Sequence, residues 1–127
     1  MKNIKNDVLD FLSSLEGYHQ LLKGLHFQAT TKSEHELCDD IDKAVLEYED
    51  DIAEYTMGRY NTRFGVGDLK TMLPAAKTLE AALKELEDDT VALKEKAGDE
   101  IRLSGLHNIL DELMSDISKW KYLKTFS

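Results

Sequence analysis

The fold is decided by residues 33–55, which read SEHELCDDIDKAVLEYEDDIAEY. Ser33 and Glu36 match the S-x-x-E pattern of a capping box, in which the two side chains satisfy backbone amides at the start of a helix. Apolar residues then recur at steps of three and four, the period of one helical face: Leu37, Ile41, Ala44, Val45, Tyr48, Ile52 and Tyr55. The stretch therefore predicts one long helix that begins at residue 33 and ends near residue 61.

Three further helices are predicted by apolar periodicity around this one: residues 4–29, 75–97 and 99–124. Pro74 and Gly98 bound the third helix, because proline fits a first helical turn and glycine suits the left-handed C-terminal cap. In the first helix, Gly17 and Gly24 each cost about 1 kcal/mol relative to alanine. We therefore expect either that packing holds this helix or that a neighbouring backbone needs the space beside these glycines.

Length, charge and composition bound the class of protein. The chain of 127 residues with 42% hydrophobic content predicts a single folded domain spanning residues 1–127. No apolar run approaches the ~20 residues that cross a bilayer, so no membrane is expected as a partner. The net charge of −9 argues against direct DNA binding through the phosphate backbone. Because Cys38 is the lone cysteine, no disulfide framework is possible, and a reducing, cytoplasmic location is expected.

The four predicted helices make an all-α chain whose parts suit a four-helix bundle. At ~1.5 Å per residue the helices are roughly 34–43 Å long, and short joints after the first and third predict two antiparallel hairpins. Residues 62–74, between the second and third helices, can extend to roughly 43 Å, which spans the bundle. This length permits a lengthwise crossover that makes the second and third helices parallel. A simple up-and-down bundle with a slack loop is the open alternative.

The second predicted helix carries four possible metal ligands opposite its apolar face. With His35 at 0° and about 100° per residue, Asp39, Asp50 and Glu54 fall within roughly 100° of it. Asp39 and Asp50 are about 16.5 Å apart along the axis, so one helix cannot bring both to one ion. Two such helices packed antiparallel across a two-fold axis would place His35 and Asp39 opposite Asp50 and Glu54 of the second copy. His26, closing the first helix, would lie at the same end as His35.

These residues resemble the ferroxidase signature of the Dps mini-ferritins, the DNA-binding proteins from starved cells. In that family a histidine that closes the first helix is followed by a second-helix histidine, an aspartate four residues on, and a later D-x-x-x-E that ends in Ala-Glu. The sequence has LHF at residues 25–27, and its second helix reproduces the family's spacing of 4, 11 and 4 residues with His35, Asp39, Asp50 and Glu54.

The resemblance implies a ferritin-like four-helix bundle with a crossover between the second and third helices. It implies a ferroxidase that uses no catalytic residues beyond its metal ligands: His26, His35, Asp39, Asp50 and Glu54. Iron would be oxidised by peroxide or oxygen, with zinc or manganese as possible substitutes in the site. Ferric iron would be stored in a hollow homo-oligomer, a dodecamer built from two-fold dimers, and this would protect against oxidative damage.

Simpler interpretations of the same residues stay open. A chain with 25 acidic residues aligns several by chance, so the stripe on the second helix is alternatively an ordinary solvated face. The corresponding alternative function is a catalytically silent ferritin-like helical protein that acts as a structural or interaction module. His19 is interpreted as a surface or interface residue, with a ligand role in a shifted register as its alternative. Cys38 is interpreted as a small buried hydrophobic residue, and the acid run at residues 47–51 as mostly solvated.

Overall fold

A computed structural model describes residues 3–126. Four α-helices make up its regular structure: α1 (Lys5–Gln28), α2 (Lys32–Tyr60), α3 (Leu79–Ala97) and α4 (Ser104–Lys124). A 3₁₀ turn (Ile101–Leu103) precedes α4. The prediction of an all-α chain with four helices is confirmed, and residues 3–126 contain no β-strand. None of the helices in this range has the length and hydropathy that a membrane span requires.

The helix ends follow local capping chemistry, which differs from the prediction at two places. Thr31 caps α2 in place of Ser33, because its extended backbone lets its side chain accept a hydrogen bond from the amide of Glu34 at 3.2 Å. Thr78 caps α3 in the same way at 3.2 Å. The third helix therefore begins four residues later than predicted, at Leu79.

One hydrophobic core joins all four helices. The apolar faces predicted from helical spacing supply its fully buried side chains, among them Leu12, Leu15, Ile41, Val45, Ile52, Leu83, Leu86, Leu106, Leu110, Leu113 and Ile117. Each such side chain contributes roughly 1.5–3 kcal/mol when it leaves water. Cys38 is also fully buried, and this burial raises the pKa of its thiol to about 11. Its interpretation as a small buried hydrophobic residue is confirmed.

Contacts between helices define two antiparallel hairpins. The backbone amide of Ile4, just before α1, donates to the hydroxyl of Tyr60 at the end of α2 (3.2 Å). The second hairpin is joined by two ion pairs that cross from α3 to α4: Lys94 with Asp111, and Lys121 with Glu87. Both hairpins predicted from the short joints are therefore present.

Residues 61–78, here called the connecting segment, lie against α1. Ser13 accepts two backbone hydrogen bonds from this segment, one on its hydroxyl at 3.0 Å and one on its carbonyl at 3.1 Å, the latter from Met72. A Cβ placed on Gly17 would lie only 1.8 Å from the carbonyl oxygen of Met72, so this close approach requires glycine. The expectation that a neighbouring backbone needs the space is confirmed for Gly17. At Gly24 an added Cβ would meet nothing within 4 Å, so no neighbouring backbone needs the space there and the first alternative remains.

Candidate metal centre

Two histidines meet at the joint between α1 and α2. His26 lies in the last turn of α1, and His35 lies in the first turn of α2. Their imidazole rings stack with centroids 3.7 Å apart and an interplanar angle of 24°. The Nδ1 atom of each ring lies 2.8 Å from the backbone carbonyl oxygen of the other residue. Because a carbonyl can only accept, each Nδ1 carries a hydrogen and donates it.

This reciprocal hydrogen bonding fixes the tautomer of each ring in its neutral form. A neutral imidazole that is protonated on Nδ1 has its lone pair on Nε2, the atom that binds metals. A hydrogen bond from the other ring nitrogen to a backbone carbonyl is the usual way in which proteins orient a ligating histidine. The three-residue joint at residues 29–31 makes the arrangement possible, since it brings the last turn of α1 beside the first turn of α2.

Asp39 lies one helical turn beyond His35 and is half-buried. It shares a recess between α1 and α2 with His26; the lining residues are Leu22, Lys23, His26, Phe27, Cys38, Asp39 and Asp42. An oxygen of the Asp39 carboxylate lies 3.1 Å from the Nζ atom of Lys43. The structure therefore brings three of the five predicted ligands to one end of the α1–α2 hairpin.

The other two predicted ligands, Asp50 and Glu54, are exposed farther along α2. Across residues 3–126, no three His, Cys, Asp or Glu side chains are grouped so that they could hold a metal ion. The sequence had already excluded a site within one helix, because the rise per residue separates Asp39 from Asp50. Two large apolar side chains near these residues are exposed. Leu46, between Asp39 and Asp50 on α2, is 36% exposed, and Phe27, beside the histidine pair, is 71% exposed.

Glu49 is a buried carboxyl group that the sequence analysis missed. Its side chain is only 8% exposed, and its Oε1 atom has no hydrogen-bond partner. Burial raises the pKa of Glu49 to about 7, the carboxylates of Glu16 and Asp50 add to this shift, and His19 opposes it. The acid run at residues 47–51 is mostly solvated as predicted, and Glu49 is its exception. The sequence did contain a signal: at about 100° per residue, the position of Glu49 around the helix adjoins the apolar arc of α2.

His19 is paired within its own chain. Its Nδ1 atom lies 2.6 Å from the Oδ1 atom of Asp42, and both side chains are partly shielded from solvent. The pair joins α1 to α2 two turns away from His26. His19 therefore belongs to the α1–α2 contact and not to the histidine pair at the joint.

A second acidic recess lies on the other side of α2, against α4. Its lining residues are Ala44, Glu47, Tyr48, Asp51, Glu112 and Asp116. The hydroxyl of Tyr48 donates to the carboxylate of Asp116, and burial together with this bond raises the pKa of Tyr48. No histidine lines this recess, so its ligands are oxygen atoms alone.

Comparisons of the chain with protein-family models, with curated proteins and with solved structures found no match.

Proposed function

We propose that the chain is a subunit of a ferritin-like iron store, which binds Fe(II) between two copies and oxidises it. The observation that carries the proposal is the reciprocal pair of His26 and His35, whose Nδ1 atoms each donate to a backbone carbonyl. With Nδ1 donating in this way, each neutral ring keeps its lone pair on Nε2, the nitrogen that can then bind a metal. Asp39 adds a carboxylate one turn away. The three residues together offer part of the mixed nitrogen and oxygen donor set that suits iron.

The helix directions support a ferritin-like bundle with a lengthwise crossover. Glu34 at the start of α2, Leu79 at the start of α3 and Lys124 at the end of α4 line one common recess. Helices α2 and α3 thus begin at the same end of the bundle, which is the parallel arrangement that a crossover produces. The bonds of the connecting segment to Ser13, midway along α1, fit a chain that runs the length of the bundle.

The positions of the four α2 ligands support a two-fold site between copies. The pairs Asp39 with Asp50 and His35 with Glu54 have the same midpoint, between residues 44 and 45. One antiparallel register of two α2 helices therefore brings both pairs together at once and builds the same site twice. Leu46 lies next to that midpoint, and its exposure in the single chain fits a side chain that a second copy covers.

In this site the chain's residues would act as ligands and as charge stabilisers. The imidazoles of His26 and His35 would bind Fe(II), and the carboxylates of Asp39, Asp50 and Glu54 would favour the higher charge of the ferric product. Each Fe(II) would give one electron to peroxide or oxygen, and hydrolysis of the ferric ion would release protons to solvent. The net charge of −9 would raise the local concentration of the cationic substrate.

Assembly and oxidation test the proposal on one preparation. Light scattering should give a mass of about 174 kDa for a dodecamer, twelve times the chain mass of 14.5 kDa. Fe(II) added to this preparation should be oxidised faster than Fe(II) in buffer. A monomer without excess oxidation would contradict the proposal. An assembled but inactive protein would instead support the alternative, a catalytically silent helical subunit.

The double variant Asp50→Ala/Glu54→Ala tests the site itself. Both side chains are exposed in the single chain, so the variant should fold and keep its helical circular dichroism. Iron oxidation should fall to the rate in buffer, because the second copy then offers no carboxylate to the histidine pair. The matched control is Glu80→Ala/Glu95→Ala, which removes two exposed carboxylates from α3 and should leave oxidation unchanged. Equal rates in both double variants would show that the α2 carboxylates bind no iron.

A further inference from the structure

Lys43 occupies the centre of the polar stripe on α2. Its Nζ atom lies 3.1 Å from the carboxylate of Asp39, and its side chain is 71% exposed. The two residues are four apart, the spacing at which side chains on one face of a helix meet. Asp39, a proposed iron ligand, is therefore paired with a cation of its own helix.

The register of two antiparallel α2 helices brings Lys43 close to a second ligand. Position 43 of one copy faces position 46 of the other, because the midpoint lies between residues 44 and 45. Asp50 of the second copy is one turn beyond position 46, about 6 Å along the axis. The flexible four-carbon stem of a lysine reaches that far. Lys43 thus lies within reach of Asp39 in its own chain and of Asp50 in the second copy.

These two carboxylates would repel each other in a metal-free dimer, because they meet at the same place on the interface. We propose that Lys43 stands in for the metal ion, neutralising Asp39 and the second copy's Asp50 until iron enters and displaces its ammonium group. The inference rests on the proposed two-fold iron site. It follows that Lys43 stabilises assembly without metal and competes with metal for the same carboxylates.

The variant Lys43→Met tests both consequences, since methionine keeps an unbranched apolar stem but carries no charge. Cobalt(II) serves as the probe, because its visible absorption reports coordination without any oxidation step. We expect the variant to bind Co²⁺ roughly 10-fold more tightly than the wild type. In sedimentation with a chelator present, we expect its metal-free assembly to dissociate at a protein concentration roughly 10-fold higher, and added Co²⁺ should restore assembly. Lys43→Arg, which keeps the charge, should assemble without metal as the wild type does.

A matched control lies on the same helix. Lys32 forms an ion pair with Glu36 at the same four-residue spacing, 3.8 Å apart, and its side chain is 88% exposed. Lys32→Met should change neither Co²⁺ affinity nor metal-free assembly, because Glu36 is not one of the proposed ligands.

The outcomes separate this inference from the proposed function. If the wild type binds Co²⁺ through Asp50 and Glu54 but Lys43→Met matches it in affinity and assembly, the role of Lys43 is overturned and the iron site stands. If the wild type and Asp50→Ala/Glu54→Ala bind Co²⁺ equally weakly, the iron site fails and the inference fails with it. A gain in affinity for Lys32→Met equal to that for Lys43→Met would reduce the effect to general surface charge, which also overturns the inference.

Discussion

The two recesses that flank α2, here called the α1-side and α4-side grooves, are both acidic. They differ in the chemistry that their side chains offer. On the α1 side, Asp39 lies near the oriented pair of His26 and His35. On the α4 side, carboxylates surround a buried tyrosine hydroxyl that bonds to Asp116, and no histidine lines the recess. Oxygen ligands alone favour hard cations such as Ca²⁺ and Mg²⁺, whereas added imidazoles favour iron, zinc and other transition metals. For the proposed iron chemistry the α1 side is therefore the better match, because it alone adds imidazoles to its carboxylates.

The largest expected difference between the grooves is in metal affinity. His35→Ala removes one imidazole and its stacking on His26, while the backbone carbonyl that accepts from Nδ1 of His26 stays, so Co²⁺ affinity should fall roughly 100-fold. Glu112→Gln, on the α4 side, should change it by less than about twofold, because that recess offers no imidazole to the metal. Isothermal titration of both variants measures the contrast. Similar losses of Co²⁺ affinity in the two variants would show that the grooves do not differ in metal binding.

A smaller effect is expected on stability, from Glu49→Gln on the α1 side. The pKa of Glu49 in the fold is about 7, above its ordinary value of 4.5, so the fold disfavours the ionised form. This carboxyl group costs no stability below pH 4.5, costs progressively more as the pH rises to 7, and costs the full amount above that. The shift corresponds to about 3 kcal/mol, of which the burial of the new amide offsets about 1.

Glu49→Gln should therefore be about 2 kcal/mol more stable than the wild type at pH 8 and should show no such gain at pH 4.5. Urea denaturation at the two pH values measures this. The groups that face Glu49 are Glu16, His19 and Asp50, and all are retained in the variant. The control is Glu47→Gln, an exposed position of the same acid run, which should stay within about 0.5 kcal/mol of the wild type at both pH values. A gain that does not depend on pH would show that the charge of Glu49 is not its cause.

The smallest effect is expected from Tyr48→Phe on the α4 side. The variant loses the hydrogen bond to Asp116 but keeps the buried ring, and Asp116 is exposed enough to be hydrated instead. The free energy of unfolding should fall by about 1 kcal/mol, with iron oxidation unchanged. Denaturant melts and oxidation rates on one sample check both statements. A loss of oxidation in a folded variant would show that the α4-side groove takes part in the reaction. The two grooves would then not differ in function.

Local periodicity was enough to predict the helices and the end of the bundle at which the two histidines lie. Apolar spacing identified the buried faces of all four helices, and the short joint after α1 put His26 at the same end as His35. The stacking of the two rings was not predicted, because it depends on side-chain geometry. The position of Glu49 beside the apolar arc of α2 was visible in the sequence, but its burial depends on how closely α1 approaches that edge.

The start of α3 was mispredicted because a distant side chain competes for the same backbone. Pro74 suits a first helical turn, which favoured a start at residue 75. The carboxylate of Glu85 instead accepts hydrogen bonds from the amides of Ala75 (3.2 Å) and Ala76 (3.1 Å), so these amides are satisfied outside a helix. Thr78 then provides the cap. Residues 75 and 79 both have capping chemistry that suits the start of a helix. Tertiary contacts decide between them, and periodicity does not report such contacts.

From the contact between Gly17 and the connecting segment we expect an order of folding. The hairpin of α1 and α2 closes through a joint of three residues, so its loop-closure entropy is small. The bond from Met72 to Ser13 closes a far longer loop and has no surface to form on until that hairpin exists. We therefore expect the first half of the chain to serve as a template on which α3 and α4 pack. A side chain at position 17 would obstruct that template where the two halves of the chain are joined.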